Sequence, residues 1–392
     1  MSETKSFYSH FLKSQNGNLH FAAHSHHFWP DASRIGHLQA WEDAALMNDS
    51  KWEKIFTQVI PTFQQHLAKM LKITDHTMIA LAPNTHDLLI KVFSPLLQKK
   101  LRVVTTDSEF HSFARQLKRW EEVHSELSVT RISTETFLSN PVNFYSELKQ
   151  KAQHCDVLFI SHVFFNSGLA IDLGELRRII QSLPASVIVI IDGYHATGAV
   201  PTNLSELEGR IYYLGGGYKY LQAGEGAGFM LTPKNDLLPT LTGWFAEFAD
   251  LSNAKKGTVA FAENGMKYWG STFDPSAWYR FNAVWDFFEK MQLNVDKIHQ
   301  QIRENQLFFL QHLPTHSLLE KCQPLFSQTL DHHGHFLTFK ASSLEEGAAI
   351  EGMLKQRRVT IDRRGDRLRF GFGLYQDRTD ILELLARLKP TT

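Results

Sequence analysis

Two side chains, Asp192 and Lys219, could together provide amine chemistry. Asp192 ends the apolar run Val187–Asp192 (VIVIID), which has the composition of a strand buried on both faces. Ligands bind outside the carboxyl ends of strands in open parallel sheets, so this carboxylate could meet a cationic group, although it could equally cap a turn. Lys219 comes shortly after three consecutive glycines, Gly215–Gly217. A lysine desolvated in a glycine-lined pocket partly loses its preference for the charged form and can form a Schiff base.

Short apolar runs alternate with helical patterns in the middle of the chain, which predicts an α/β fold. The runs are apolar at consecutive positions, as strands buried on both faces are. They are Leu101–Thr105, Val157–Ser161, Val187–Asp192, Ile211–Leu214 and Phe229–Thr232. Between the second and third runs, Asp172–Leu176 (DLGEL) is a capping signal that begins an amphipathic helix. Strand, helix and strand in this order predict parallel pairing with right-handed crossovers.

The last hundred residues follow a different pattern. Apolar residues at helical spacing between residues 279 and 302 predict a long helical connector. Beyond it, His335–Lys340, Val359–Asp362 and Leu368–Phe372 alternate as strands do, and Thr379–Leu388 has an apolar helical stripe. We therefore expect an N-terminal arm over residues 1–60 that joins the small domain, a large domain over residues 61–285, and a small α+β domain over residues 286–392.

A carboxylate at a strand end, followed one strand later by a glycine-rich lysine, meets the needs of pyridoxal 5'-phosphate (PLP). The lysine holds the aldehyde, and the carboxylate keeps the pyridine nitrogen protonated. The segment over residues 191–233 resembles fold-type I, class V PLP enzymes (the aminotransferase class V superfamily), and kynureninase most closely. The shared features are Asp-x-x-His from Asp192 to His195, and Tyr-Lys-Tyr from Tyr218 to Tyr220. The resemblance extends, more weakly, over most of the chain. It implies a large three-layer α/β/α domain with a mostly parallel sheet, and a small α+β domain.

The same resemblance implies roles for the residues around the cofactor. Lys219 would form the Schiff base with PLP, Asp192 would pair with the pyridine nitrogen, and Phe110 would stack on the ring. Asn84 and Thr85 would hold the phosphate at the start of a helix, although Thr85 could be an ordinary helix N-cap. The other cofactor residues implied are Ser161, His195, Tyr218, Trp244, Ser271 and Thr272.

Further matches concern the substrate and a second subunit. Ser271 and Thr272 resemble a stretch that reaches the phosphate from the neighbouring subunit, so the resemblance implies a homodimer with shared sites. Arg369 matches the arginine that binds the substrate α-carboxylate, a task that suits a planar guanidinium. Arg367 points to the same side of the strand and is the alternative. Ser25 is the residue kept from an N-terminal motif of the family and is implied to contact the substrate.

Two departures from the kynureninase pattern lie on the substrate side. Residues 23–30 read AHSHHFWP where kynureninases have Gly-Asn-Ser-Leu-Gly. The residues after Phe110 are His111, Ser112 and Phe113, where the family has Pro-Ser-Asp, so we expect an acidic group near the cofactor to be missing. Both changes bear on which substrate the site accepts.

Two groups of histidines invite comparison with metal sites. They are His24, His26 and His27, and His332, His333 and His335. Neither group has the partner spacing of a zinc site, which needs four ligands in fixed geometry. We expect exposed histidine loops without a metal, the first of them at the mouth of the substrate site.

Composition narrows the possible partners and the compartment. Lys plus Arg number 41, as do Asp plus Glu, so no positive excess favours nucleic acid or an anionic membrane. The sequence shows neither a secretory signal pattern nor 18 uninterrupted apolar residues. Two cysteines, Cys155 and Cys322, are too few for a disulfide framework. We expect a cytoplasmic protein that binds neither nucleic acid nor membrane.

The combined prediction is a PLP-dependent enzyme that acts on an amino acid. The resemblance implies kynureninase-like hydrolysis of the Cβ–Cγ bond of L-kynurenine or a related β-acyl alanine. The alternatives are transamination, or a lyase or epimerase activity, on a different amino acid. Cysteine desulfuration is disfavoured because neither cysteine lies on a recognisable catalytic loop. A scaffold protein that lost its chemistry is disfavoured because Asp192 and Lys219 are both present.

Overall fold

The computed structural model describes residues 3–235, 237–247 and 259–390. Within these ranges, the α-helices are α1 (Ser9–Ser14), α2 (Asp31–Met47), α3 (Lys51–Lys54), α4 (Ile60–Leu71), α5 (Thr85–Phe93), α6 (His111–Val123), α7 (Pro141–Ala152), α8 (Leu173–Ser182), α9 (Ser276–Lys290), α10 (Val295–His312), α11 (Leu344–Gln356) and α12 (Arg378–Leu388). The strands are β1 (Leu19–His20), β2 (Ile79–Ala82), β3 (Leu101–Thr106), β4 (Leu127–Ile132), β5 (Val157–Ser161), β6 (Ile188–Asp192), β7 (Tyr212–Gly216), β8 (Gly228–Leu231), β9 (Gln323–Pro324), β10 (Phe336–Lys340), β11 (Val359–Thr360), β12 (Asp362–Arg364) and β13 (Arg367–Gly371).

A seven-stranded sheet forms the centre of the large α/β region. Its strand order is β2-β8-β7-β6-β5-β3-β4, and β8 is the strand that runs antiparallel to its neighbours. Each residue of β5, β7 and β8 is buried, as the uninterrupted apolar runs predict. Strand β8 follows β7 after residues 217–227, which form no α-helix, so the chain returns antiparallel. The predicted mixed α/β fold with a mostly parallel sheet is confirmed.

Helix α8 connects strands β5 and β6, which end at Ser161 and Asp192. Asp172 is its N-cap, and its side chain accepts hydrogen bonds from the backbone N–H groups of Gly174 and Glu175. The helix buries its apolar stripe, and the strands on either side of it, β5 and β6, pair in parallel. Their register places Ser161 directly opposite Asp192, at the carboxyl ends of both strands.

A second sheet lies near the end of the chain and is antiparallel, with the order β12-β13-β10-β9. The N-terminal segment joins this region because β1 pairs in parallel with β11, with Leu19 opposite Val359. Helix α2 packs closely on α9, where a Cβ at Gly36 would lie only 2.3 Å from the Tyr279 carbonyl oxygen. The backbone N–H of Gly371 in β13 donates to the Phe21 carbonyl at 2.7 Å, so the arm contacts both the small sheet and α9.

Helix α9 runs without interruption from residue 276 to residue 290, so the expected boundary near residue 285 lies inside a helix. The division into an arm, a large domain and a small domain remains a prediction. Cys155 and Cys322 are buried free thiols. Among the helices in the described ranges, none has the length and apolar character that crossing a bilayer demands.

Candidate active site

A cavity of about 810 Å³ opens at the carboxyl ends of the parallel strands. Strand β5 contributes Ser161, and strand β6 contributes Asp192. The turn after β7 contributes Tyr218 and Lys219, and Phe110, the residue before α6, also lines the wall. The sheet thus collects in one cavity side chains that lie more than a hundred residues apart in sequence.

Lys219 is buried, with 4% of its surface exposed. Its Nζ lies 2.6 Å from His195 Nε2 and about 5 Å from the ring centroids of Phe110 and Tyr194, at 5.1 Å each. Burial lowers the pKa of the Lys219 amine to about 7, against the opposing effect of Asp192 and with the support of Arg369. An amine with this pKa is largely neutral in mildly alkaline solution and can act as a nucleophile.

His195 is a neutral partner for this amine. Burial lowers the pKa of its imidazole well below the usual value, and the positive charge of Lys219 lowers it further. The backbone of His24 forms a second hydrogen bond with the His195 ring. With one ring nitrogen held in this way, Nε2 can present its lone pair to Lys219.

Asp192 keeps a carboxylate at the floor of the cavity. Its Oδ1 accepts a hydrogen bond of 2.9 Å from the backbone N–H of Tyr194. Burial raises the pKa of the Asp192 carboxyl, whereas this hydrogen bond and the charge of Lys219 oppose the rise. A cationic group of a ligand placed against Asp192 would favour the ionised form of this carboxyl group.

The start of α5 provides a site suited to a phosphate. Asn84 caps the helix by accepting a hydrogen bond of 3.0 Å from Asp87 N, and Asn84, Thr85 and His86 all line the cavity. The free N–H groups at a helix N-terminus favour an anion. His86 Nδ1 is buried and has no hydrogen-bond partner among the described residues, as expected of a donor whose partner is a ligand.

An acidic side chain does lie beside the cavity, which corrects the expectation that it is missing. Glu109 precedes Phe110, and its Oε2 accepts a hydrogen bond of 2.5 Å from Ser161 Oγ. The kynureninase motif has its acidic group after the stacking phenylalanine, whereas this chain has Glu109 one residue before Phe110. Its position between the end of β3 and the start of α6 was the sequence signal that could have identified it.

Three of the expected cofactor residues lie outside the cavity of this chain. Trp244 is 45% exposed, and Ser271 and Thr272 are exposed in the loop before α9. Ser25, expected to contact the substrate, also does not line the cavity, and its Oγ lies 3.3 Å from His26 Nδ1. Their assigned roles remain predictions, and for Ser271 and Thr272 the prediction concerns the neighbouring subunit.

Arg369 is buried behind the cavity wall. It forms an ion pair with Asp362, and its Nη1 donates a hydrogen bond of 2.7 Å to the Phe165 carbonyl. Its Cζ lies 4.4 Å from the ring centroid of Phe165, a residue that does line the cavity. A substrate carboxylate would have to compete with Asp362 for this guanidinium. Phe165, like Tyr194, is a lining residue that the sequence analysis missed.

Most of the noted histidines are not exposed, which corrects a second expectation. His24, His27, His333 and His335 are each buried, and none of them lines the cavity. His335 Nε2 lies 3.0 Å from Nδ1 of His299 on α10, and His333 contacts a backbone carbonyl. Within the described residues, no cluster of three or more potential metal ligands is present.

The aminotransferase class-V family model matches residues 38–384, and the chain belongs to this family. Over 94 residues the chain is 33% identical to the isopenicillin N epimerase of Streptomyces clavuligerus, a match that covers 23% of each protein. Solved structures with the same fold include a C-DES variant with glycine covalently linked to its PLP cofactor (TM-score 0.83, 18% identity, 99% of both chains). They also include the cysteine desulfurase CsdA from Escherichia coli (TM-score 0.79, 14% identity, 99% of this chain and 98% of the other) and a cysteine desulfurase from Thermococcus onnurineus NA1 (TM-score 0.78, 14% identity, 95% and 94%).

The fold is that of fold-type I PLP-dependent enzymes, and the cofactor is PLP. The residues present fit this group. Lys219 offers the buried amine, Asp192 the carboxylate for the ring nitrogen, and the start of α5 the anion site, where His86 has a free nitrogen. The chain is therefore a PLP-dependent enzyme of the aminotransferase class-V family.

Proposed function

We propose that the enzyme hydrolyses the Cβ–Cγ bond of an amino acid with an aromatic β-acyl side chain, as kynureninases do. The observation that carries the proposal is the surroundings of the Lys219 amine. It lies 2.6 Å from a neutral histidine, between aromatic rings, in a cavity that neither cysteine lines. Aromatic walls favour an aryl side chain, and a neutral imidazole next to an amine favours proton transfer.

The overall reaction balances with one water molecule. The Cβ–Cγ bond breaks, the carbonyl carbon gains a hydroxyl from water and becomes a carboxylic acid, and Cβ gains a proton to give alanine. When bound, PLP supplies an electron sink for the negative charge that develops on the substrate's carbon skeleton.

The chain's own residues would divide the proton transfers between them. Lys219 Nζ, with a pKa near neutrality, can accept a proton from the substrate Cα and return one to it. His195 Nε2 can share that proton across the 2.6 Å contact. Asp192, which lines the cavity, would accept a hydrogen bond from the protonated pyridine nitrogen.

Arg369 is the guanidinium available for the substrate α-carboxylate in this proposal. Its present partners are Asp362 and the Phe165 carbonyl, and its Nε has no hydrogen-bond partner among the described residues. That free donor offers one hydrogen bond to an incoming carboxylate without loss of the existing ion pair. The affinity for the substrate would then depend on whether the two Nη atoms of Arg369 exchange Asp362 and the Phe165 carbonyl for the substrate carboxylate.

The direct test is incubation of PLP-loaded enzyme with L-kynurenine and with 3-hydroxykynurenine. We expect anthranilate or 3-hydroxyanthranilate together with an equal amount of alanine, and neither product from the Lys219→Ala variant. Conversion of the cofactor to its amine form without either acid would contradict the proposal and indicate a transaminase.

Epimerisation is the second candidate, favoured by the local similarity to isopenicillin N epimerase. It needs the same proton removal at Cα, followed by return of a proton to the opposite face, and no carbon–carbon bond is cleaved, so the Lys219 and His195 pair would serve it equally. Loss of optical activity of an amino acid in deuterated water, with one deuterium gained at Cα and no anthranilate formed, would favour this candidate.

The chain's thiols give no support for desulfuration, the activity of two of the structural neighbours. Cys155 lies just before β5, at the opposite end of the strand from Ser161, and its Sγ donates to the Ala152 carbonyl at 3.2 Å. Burial raises the pKa of the Cys155 thiol to about 11, and of the Cys322 thiol to about 11. Neither is poised to act as a thiolate at neutral pH.

A further inference from the structure

The buried carboxyl group of Glu109 has no part in the chemistry described above. It is 7% exposed and lies between the end of β3 and the start of α6. Three donors point at it: Ser161 Oγ at 2.5 Å, Thr106 Oγ1 at 2.6 Å and the backbone N–H of Ser161 at 3.3 Å. Two of these three come from a residue that lines the cofactor cavity.

Glu109 is balanced between its two protonation states. Burial raises the pKa of its carboxyl group to about 7, and the negative charge of Asp192 adds to the rise. The hydrogen bonds from Ser161 and Thr106 favour the ionised form and oppose it. The groups that face Glu109 are Thr106 from β3, Ser161 from β5 and Asp192 from β6, and among these three Asp192 is the one that carries charge.

The protonation state of Glu109 determines what Ser161 can offer. When Glu109 is ionised, the Ser161 hydroxyl donates its proton to the carboxylate, and its oxygen is left as an acceptor toward the cavity. When Glu109 is protonated, its own O–H can donate to Ser161 Oγ, which frees the serine proton for another acceptor. Since Ser161 lies opposite Asp192 in the strand register, either change occurs next to the carboxylate for the ring nitrogen.

We propose that Glu109 and Ser161 form a protonation-dependent relay at the PLP site. Glu109 is a positioning residue: it sets whether Ser161 presents a donor or an acceptor to the cofactor, and whether a second negative charge lies beside Asp192. The relay depends on PLP as the cofactor and not on which amino acid is the substrate. Its failure would therefore leave the proposed hydrolysis untouched.

The test is a pH titration of the visible absorption of PLP bound to the enzyme without substrate. Above neutral pH the ionised Glu109 favours the protonated form of the bound cofactor. Glu109→Gln removes this charge in a nearly identical shape, so we expect the titration midpoint to fall by about 0.5–1 pH unit. Glu121→Gln is the matched control, because Glu121 lies on α6, pairs with Arg131 on the surface, and should leave the midpoint unchanged.

A double-variant comparison separates a relay from two independent effects. Ser161→Ala removes the 2.5 Å hydrogen bond that favours ionised Glu109, so its midpoint should also fall. The double variant should shift the midpoint no further than Glu109→Gln alone, because the two residues act as one unit. Shifts that add, or a Glu109→Gln midpoint within about 0.2 unit of wild type, would overturn the proposal. Should Glu109→Gln fail to fold, the titration midpoints of Ser161→Ala and Glu109→Asp are compared instead. The aspartate variant keeps an ionisable carboxyl group at this position.

Discussion

At the scale of single residues, the chemistry depends on the amine of Lys219. Its burial agrees with the glycine-lined pocket expected from the sequence, whereas its 2.6 Å contact with His195 could not be foreseen, because it depends on how residues from different strand ends come together. The types and order of Asp192, His195 and Lys219 were sufficient to predict the cofactor. They were not sufficient to predict Glu109, since its role depends on which way a loop side chain points.

Replacement of Lys219 by alanine should abolish covalent attachment of PLP. We expect borohydride reduction of wild-type holoenzyme to leave a labelled peptide that contains residue 219, and no such label in Lys219→Ala. Turnover should fall by about 10³-fold or more, because the amine serves both as attachment point and as base. Lys234→Ala, at a lysine with 73% of its side chain exposed, is the control and should label normally. Label on another lysine of the wild type would show that the assignment is wrong.

The pH dependence of cofactor attachment follows from the lowered pKa of Lys219. Only the unprotonated amine attacks an aldehyde, and for a pKa of about 7 its fraction rises from about one tenth at pH 6 to about nine tenths at pH 8. We therefore expect the rate of PLP attachment to cofactor-free enzyme to rise about tenfold over this range and then level off. A free lysine derivative measured alongside is the control, and its rate should rise about tenfold per pH unit across the same range. A rate that keeps rising tenfold per pH unit beyond pH 8 would indicate an ordinary, solvated lysine.

At the scale of secondary structure, five of the seven strands of the central sheet were predicted, whereas β2 and β4 were not. The predicted strand over residues 157–161 agrees with β5 at both ends, and the predicted helix after Asp172 is α8. Strands that are buried on both faces have continuous apolar runs, which is a strong signal. Strand β4 was missed because its pattern is mostly exposed at the sheet edge, and β1 because two residues carry no periodicity.

The N-cap of α8 offers a test at this scale. Asp172→Ala removes the acceptor for the N–H groups of Gly174 and Glu175, so we expect a loss of about 1 kcal/mol in the free energy of unfolding. Urea denaturation followed by circular dichroism would measure it. Asp49→Ala, at an exposed aspartate that caps no α-helix, should cost less than about 0.5 kcal/mol. Equal losses in both variants would show that the cap contributes little.

At the scale of the whole molecule, the question is whether one chain contains a complete site. Ser271 and Thr272 lie on the surface, away from the cavity that they are predicted to serve. Helix α2 also presents large apolar side chains to solvent, with Ile35 at 69% and Trp41 at 71% exposure. Exposed apolar groups of this size on one helix are typical of a covered surface, which agrees with a predicted homodimer.

A subunit-mixing experiment tests the shared site. In a dimer of Lys219→Ala with the Ser271→Ala/Thr272→Ala variant, one site has both defects and the other has none, provided that these residues act across the interface. Random mixing should then restore about a quarter of wild-type turnover from two inactive preparations. No recovery on mixing, with heterodimers verified by mass spectrometry, would show that each site carries one defect and that Ser271 and Thr272 act within their own subunit.

The parallel pairing of β1 with β11 joins residue 19 to residue 359. During synthesis the first segment leaves the ribosome long before its partner strand exists, so for most of translation its hydrogen-bonding edge has nothing to pair with. His24, a buried residue shortly after β1, belongs to the same N-terminal segment, and its backbone forms a hydrogen bond with the ring of His195. The lysine pocket can thus take its final form only after the segment around residue 359 has been released, and a nascent polypeptide stalled before residue 359 should not retain vitamin B6.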